Sequence, residues 1–351
     1  MRDISKNAQD NGHPDVTFLV IGDIKTPPEA EKLCKDLAKD SGVAIEYLDV
    51  QAQEKAIAEF PSLSGMIPLN SAVRKMIGNF IAYRRGCDSL VMLDDDNFFN
   101  SGDFIGGHNV VSSQTQIDLI KSDTGWFSVA EAMIEESGVP FYPRGYPWSQ
   151  RNPSAINVTR ESTSAKVVIN QGFVLEDPDV DAISRLFWPI RVSGMNKDFE
   201  PRFGLKPGTW CSFNNQNTAL AREVIPAYFT PFKTGRNSDI WTSFVMCRLA
   251  EHLNGVIAFG DPQVRQVRNP HSLWQDLDDE LLNNKATDAF VELLRSTELS
   301  QDTYGSALGE LLEKCLATLP SLSDIPESEA EMMRDFFLEY QIWQSLFINL
   351  D

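Results

Sequence analysis

The chain has 351 residues, with 50 Asp and Glu against 31 Lys and Arg, for a formal net charge of −19. A balance this acidic is repelled by nucleic-acid phosphate and by anionic lipid, which excludes a general polyanion binder and leaves any phosphate to a local pocket. Hydrophobic residues at 42 % and charged residues at 23 % are globular proportions, and the length allows about two domains. The opening MRDISKNAQDNGHPD has no apolar stretch of the secretory kind, and no run approaches the ~20 apolar residues that cross a bilayer, so a cytoplasmic location with no membrane span is expected. Cys34, Cys87, Cys211, Cys247 and Cys315 are odd in number and scattered, which predicts reduced, mostly buried thiols.

In chain order, Val16 to Ile21 is a short β-rich apolar run that ends in Gly22-Asp23, and a helical stretch follows from Pro28 to Ser41. Val43 to Val50 reads as a second strand, Ser71 to Arg85 as a helix with apolar Val73, Met76, Ile77, Phe80 and Ile81, and Ser89 to Leu93 as a third strand. Strands alternating with helices predict an α/β fold with a mostly parallel, Rossmann-like sheet, whose ligands bind beyond the carboxyl ends of its strands. Neither GxGxxG nor GxxxxGK[ST] occurs, which disfavours a dinucleotide site of the usual type or a P-loop. From Asp276 to Asp351 there are 17 acidic and 4 basic residues, net −13, with apolar residues at helical spacing. That composition predicts a small acidic helical domain over 280–351 behind a main domain over 1–279. Phe336, Phe337, Trp343, Leu346 and Phe347 supply more large apolar groups than one helical face needs, so contact with the main domain or a homo-oligomer is expected.

The chemistry concentrates where the third strand runs into Asp94, Asp95 and Asp96. Adjacent carboxylates repel one another, and the usual compensation is a hard cation, Mg²⁺ or Mn²⁺, shared with a substrate phosphate. In an extended stretch Asp94 and Asp96 share a face, so these two are the expected metal ligands, with Asp95 beside the bound diphosphate. The loop Gly22, Asp23, Ile24, Lys25 lies where a base and ribose would sit. Arg74, at the start of the next helix, is placed for a diphosphate, or else for an exposed helix face.

Several islands carry a family resemblance: NSAVRKMIG (Asn70 to Gly78), RGCD (Arg85 to Asp88), DDDN (Asp94 to Asn97), RGYPWSQR (Arg144 to Arg151), NTALARE (Asn217 to Glu223) and GRNSDIW (Gly235 to Trp241). Together they resemble the reversibly glycosylated polypeptides, or UDP-arabinopyranose mutases, and the related STELLO-type glycosyltransferase-like proteins, whose first strand VIGDIKTP (Val20 to Pro27) also resembles. The resemblance implies a GT-A fold and transfer from a nucleotide sugar, UDP-linked by expectation, with Mn²⁺ (or Mg²⁺) held by a DXD motif, to an unnamed acceptor. It also implies nucleotide-sugar contacts from Asn217 and Arg236, and a late histidine, His271, completing the metal shell. Asp239 is implied on the acceptor side as a general base or orienting group, with capping of its helix as the other role. Arg144 and Arg151 match two family arginines, one of them glycosylated there. A guanidinium stays protonated and is a poor nucleophile, so contact with phosphate or sugar is the favoured role. Trp148 and Trp210 are read either as flat faces for a sugar ring or as core aromatics. Asn97 stands where the mutases have Cys, and Phe213-Asn214-Asn215 where they have Cys-Gly-Met, departures that bear against mutase activity. The expected function is therefore a glycosyltransferase, with a pyranose/furanose mutase or a non-catalytic nucleotide-sugar-binding subunit as the alternatives.

Overall fold

The structure, a computed structural model, describes residues 1–151 and 157–348. Helix α1 (Arg2–Asp10) leads into strand β1 (Thr17–Ile21), helix α2 (Ala30–Ser41), strand β2 (Ala44–Leu48), and helices α3 (Val50–Ala56) and α4 (Pro61–Met66). β1 and β2 pair in parallel, from Thr17 opposite Ala44 to Ile21 opposite Leu48, and α2 is the crossover that a parallel pair requires. Helix α2 stops at Gly42, whose φ of 68° is the left-handed conformation that closes a helix with no Cβ to clash. A turn capped by the Ser71 hydroxyl, which accepts from Val73 N, starts α5 (Lys75–Arg84), and β3 (Ser89–Met92) follows. Each element expected over residues 16–93 is present within a few residues of its expected bounds.

The second sheet has nine strands and is mixed. It takes in β3, β4 (Asn97–Phe99), β5 (Gln114–Ser122), β6 (Met133–Glu135), β7 (Val158–Glu176), β8 (Val192–Met195), β9 (Arg202–Leu205), β10 (Thr218–Ala221) and β11 (Val256–Gln266). Helices α6 (Phe104–His108), α7 (Ala182–Phe187) and α8 (Ser238–Leu253) interrupt them. Among the named strands of the described residues, parallel pairing is confined to β1–β2, β5–β9 and β7–β11. The expected mostly parallel sheet is qualified by the 19-residue β7. Its outer half, through Lys166, lies antiparallel on β5 and is largely exposed, while its inner half is buried between β10 and β11. Because β10 is antiparallel to both β3 and β7, and β11 is parallel to β7, strands β3, β7 and β11 run the same way. Their carboxyl ends at Met92, Glu176 and Gln266 therefore meet at one edge.

Helices α9 (Leu273–Ser296), α10 (Tyr304–Thr318) and α11 (Glu327–Ser345) complete the described chain. The expected boundary at 279/280 falls inside α9, so it marks a change of charge and no break in packing. One continuous core joins these helices to the rest: Phe290 stacks on Trp241 with ring centroids 4.1 Å apart, Trp343 stacks on Phe229 at 5.0 Å, and Phe347 meets Phe80 edge-on at 5.5 Å. The apolar groups that suggested a second chain are thus buried within this one. Cys34, Cys211, Cys247 and Cys315 are buried and all five cysteines are free; no helix among the described residues is long and apolar enough to cross a membrane. Phe290→Ala is expected to cost about 3–5 kcal/mol by emptying this junction. Denaturant unfolding followed by both tryptophan fluorescence and circular dichroism should then shift as one transition; separate transitions for the helices and the sheet would contradict a shared core.

Candidate functional site

The edge formed by the ends of β3, β7 and β11 carries the carboxylate triplet. Asp94 is ion-paired with Lys75, the first residue of α5, and Lys75 also donates to Asn215 Oδ1 at 3.0 Å. Asp95 is exposed. Asp96 is held from the other side, where Gln266 Nε2 donates to it at 2.8 Å and Val267 N donates to its carbonyl at 3.1 Å. Burial pushes the Asp96 carboxyl above its ordinary value despite the Gln266 bond, and the charges of Asp94 and Asp95 add to the rise. Gln266 in turn accepts from Arg268 Nη2 at 3.0 Å, and Arg268 and Arg185 both pair with Asp177 beyond β7. Asp94 and Asp96 are therefore the open ends of two bonded chains that converge on the edge.

The loop after β1 is braced from below. Asp23 accepts from Ile24 N at 2.7 Å and from Ser71 N at 2.9 Å. Burial would raise its carboxyl, but backbone N–H groups of Asn70, Ile24 and Ser71 together with Arg74 leave it lowered. A Cβ on Gly22 would collide with the Tyr47 hydroxyl, so only glycine lets the loop lie against that ring. Lys25 is exposed at the loop tip. Arg74 is 2 % exposed, and its Nε and Nη2 donate to Gln53 Oε1 at 3.0 and 2.7 Å while Gln53 Nε2 holds the carbonyls of Gly22 and Leu48. This corrects its expected role as a diphosphate contact: a guanidinium spent inside the fold buttresses the loop.

Beyond β7 the expected catalytic residues form a closed ionic cluster. Arg144 donates from Nε to Asp179 at 2.9 Å, from Nη2 to Asp239 at 3.0 Å, and from Nη1 to Asn237 Oδ1 at 3.2 Å and to the Arg236 carbonyl. Burial would raise the Asp179 carboxyl, but Arg144 outweighs it and holds the group well below the carboxylate range. Asp239 sits in the first turn of α8, with its second oxygen accepting from Ile240 N at 3.0 Å. Both its oxygens are engaged, one on Arg144 and the other on a first-turn N–H of α8, so the expected role at the helix end fits, whereas the expected general base has no free oxygen. Arg151 is likewise engaged, with Asp181 at 2.6 Å and the Tyr146 carbonyl, and it lies 3.9 Å over the Trp148 ring. Trp148 is exposed, whereas Trp210 is in the core between Trp126 and Arg295.

Three further expectations change. Asn217 is fully buried, its Oδ1 bonded to His108 Nε2 at 2.9 Å, and burial lowers that histidine to about 4, so the pair is a neutral core contact and Asn217 meets no ligand. Arg236 binds Glu280 at 2.8 Å and Asp276 at 3.2 Å. His271 is tied through Nδ1 to the same Asp276, and among the described residues no three His, Cys, Asp or Glu side chains are grouped to hold one ion. The late histidine is thus joined to the arginine cluster and not to Asp94 and Asp96.

Sequence reasoning missed Asp179 and the amides. Asn214 Nδ2 donates to Asp179 at 2.9 Å and its Oδ1 accepts from Gln171 at 2.7 Å, while neighbouring Asn215 holds Lys75. Asn214 and Asn215 therefore tie the arginine cluster to the carboxylate triplet. Their departure from the mutase pattern was the one available signal. No protein-family model matches the chain, and no curated protein matches it.

Arg144→Ala would leave two buried carboxylates without their cation, an expected loss of about 3–5 kcal/mol by chemical denaturation at neutral pH. The Asp179 part is present above the unfolded Asp value of ~3.9 and disappears as pH falls through the lower folded value, so wild type and variant should converge in acid. Asp96 has the opposite sign. Its raised value penalises the ionised form, so Asp96→Asn should melt higher than wild type at pH 7, with the advantage fading as pH falls through the raised folded value and gone below the unfolded value of ~3.9. A variant less stable than wild type at neutral pH would contradict the burial of that charge.

Proposed function

We propose that this chain is a metal-dependent glycosyltransferase of GT-A type, taking its sugar from a nucleotide sugar, UDP-linked in the resemblance that guides the reading. The observation that carries it is the run of Asp94, Asp95 and Asp96 beyond the end of β3, with Asp94 paired to Lys75 at the start of α5 and the turn before that helix bonded to Asp23 of the braced loop after β1. Carboxylate oxygens are hard donors, and Asp94 already holds a cation, the Lys75 ammonium, so the donor set suits Mn²⁺ or Mg²⁺. Such ions are commonly held by one or two carboxylates plus substrate phosphates, which is what Asp94 and Asp96 offer without a third ligand. The bound cation would neutralise charge on a departing diphosphate.

The chain's own residues do the rest. Asp23 fixes the start of α5 by its bond to Ser71 N, and with it the position of Lys75 at the first turn. Freed from Asp94, that ammonium stands beside the phosphate position. Arg144, Asp239 and Asp179 hold the opposite wall rigid, which keeps donor and acceptor at a fixed separation. Every N–H-bearing nitrogen of Arg144 is engaged, which speaks against covalent glycosylation of this arginine and so against the mutase alternative.

Isothermal titration of UDP in Mn²⁺ and in EDTA tests the reading. Binding should require the metal and fail in Asp94→Ala and Asp96→Ala, with turnover lowered about 100-fold or more, the scale of losing one preorganised charge-stabilising group. Circular dichroism of both variants should remain native. Metal-independent binding, or an intact-mass adduct of one sugar on Arg144, would refute it.

A further inference from the structure

Beside the ionic cluster, a cleft opens between the inner half of β7 and the first turn of α8. It is floored by Phe141, Phe173, Phe213 and Ile240 and edged by Arg144, Asp179, Gln171, Asn214, Ser212 and Gln216. Its two charges cancel, because Arg144 and Asp179 are bonded to each other at 2.8 Å. Neither retains a free charge with which to select an anion or a cation. Asn214 is spent as well, donating to Asp179 and accepting from Gln171 and from Gln216 N.

Ser212 Oγ and Gln216 Nε2 both belong to residues lining the cleft and lack a hydrogen-bond partner among the described residues, and Gln216 has the longer reach. Gln216 is 4 % exposed. A buried amide left unpaired is costly, and a native fold keeps one where something else completes it. The open volume is about 40 Å³, where a single water needs ~10–15 Å³. That space admits a few waters or the hydroxyl-bearing edge of a ligand whose body stays at the mouth. An amide matches a hydroxyl in both donor and acceptor roles, and an apolar floor suits the C–H face of a ring.

We infer that this cleft is the acceptor subsite and takes the hydroxyl edge of an uncharged sugar, with Gln216 completing its bonds to that edge. The inference rests on the transferase reading for the word acceptor and on the cleft alone for the chemistry. Asn215, the residue before Gln216, accepts from Lys75, which pairs with Asp94, so the subsite adjoins the donor edge.

Saturation-transfer NMR on the full chain, with and without UDP and Mn²⁺, tests it using methyl glycosides of glucose, galactose, mannose, arabinose and xylose, with methyl glucuronide and uridine as comparison probes. At least one neutral glycoside should bind, competing with neither UDP nor uridine. Gln216→Leu should weaken that glycoside at least tenfold, leave UDP binding unchanged, and melt no lower than wild type, because it replaces an unpaired amide with an apolar group. The wild-type ranking stands without any variant: tighter binding of the glucuronide, displacement of the glycoside by uridine, or no glycoside binding with or without UDP would overturn the inference. UDP binding without glycoside binding would sink the subsite alone. Glycoside binding lost in Gln216→Leu, with no metal-dependent UDP binding, would uphold the sugar site and sink the transferase reading.

Discussion

A guanidinium withdrawn from water keeps its charge, and the surrounding fold must then provide an acceptor for each of its N–H groups. Arg144 imposes that demand here. It is answered from two places far apart in the sequence: Asp179 after β7, and the start of α8, where Asp239 and the Arg236 carbonyl lie. The turn of residues 144–151, the end of the central strand and the start of the most buried helix are fixed relative to one another as a result. From Asp179 the bonding continues through Asn214, and from the adjacent Asn215 through Lys75 to Asp94. The position of the carboxylate triplet is thus coupled to the arginine by a run of named hydrogen bonds.

A second constraint is the single core under the acidic helices. Trp241 on α8 and Phe290 on α9 lie face to face, and Tyr340 on α11 donates to the Ala227 carbonyl at 2.8 Å. Glu339, also on α11, is buried and accepts from Phe232 N and Lys233 N, and burial raises its carboxyl despite those bonds. The acidic stretch therefore does more than cover one side of the molecule, since some of its carboxylates serve as acceptors for the loop that precedes α8.

What was legible in the sequence follows from range. The strands and helices over residues 16–93 are declared by local periodicity, and the triplet at the end of β3 is declared by chemistry that packing alone does not favour. The long β7 was hidden because its outer half, RESTSAK, is polar and exposed while its inner half is apolar, so no single period covers it. Arg144 and Asp239 stood out as residue types, but their mutual bond spans 95 positions and the partner Asp179 lies in what reads as a plain acidic turn. Arg74 and Asn217 were misread for the same reason: burial and side-chain direction come from tertiary packing, and each proved to be spent on a neighbour inside the fold. The boundary at 280 failed because charge composition changes there while the helix does not.

The Lys75 ammonium on Asp94 gives the edge a resident monovalent counter-ion. Any cation arriving at Asp94 enters by exchange, displacing an ammonium instead of water alone, and its apparent affinity is reduced by the strength of that pair. Such an exchange would be conservative in position, because Lys75 stands at the root of α5 and is bonded to Asn215 as well as to Asp94. A displaced lysine so tethered remains beside the incoming ion, so loading raises the local charge by the charge of that ion and leaves the ammonium free of its carboxylate. On a chain of net charge −19, an anionic ligand would meet net attraction at this edge only after such an exchange.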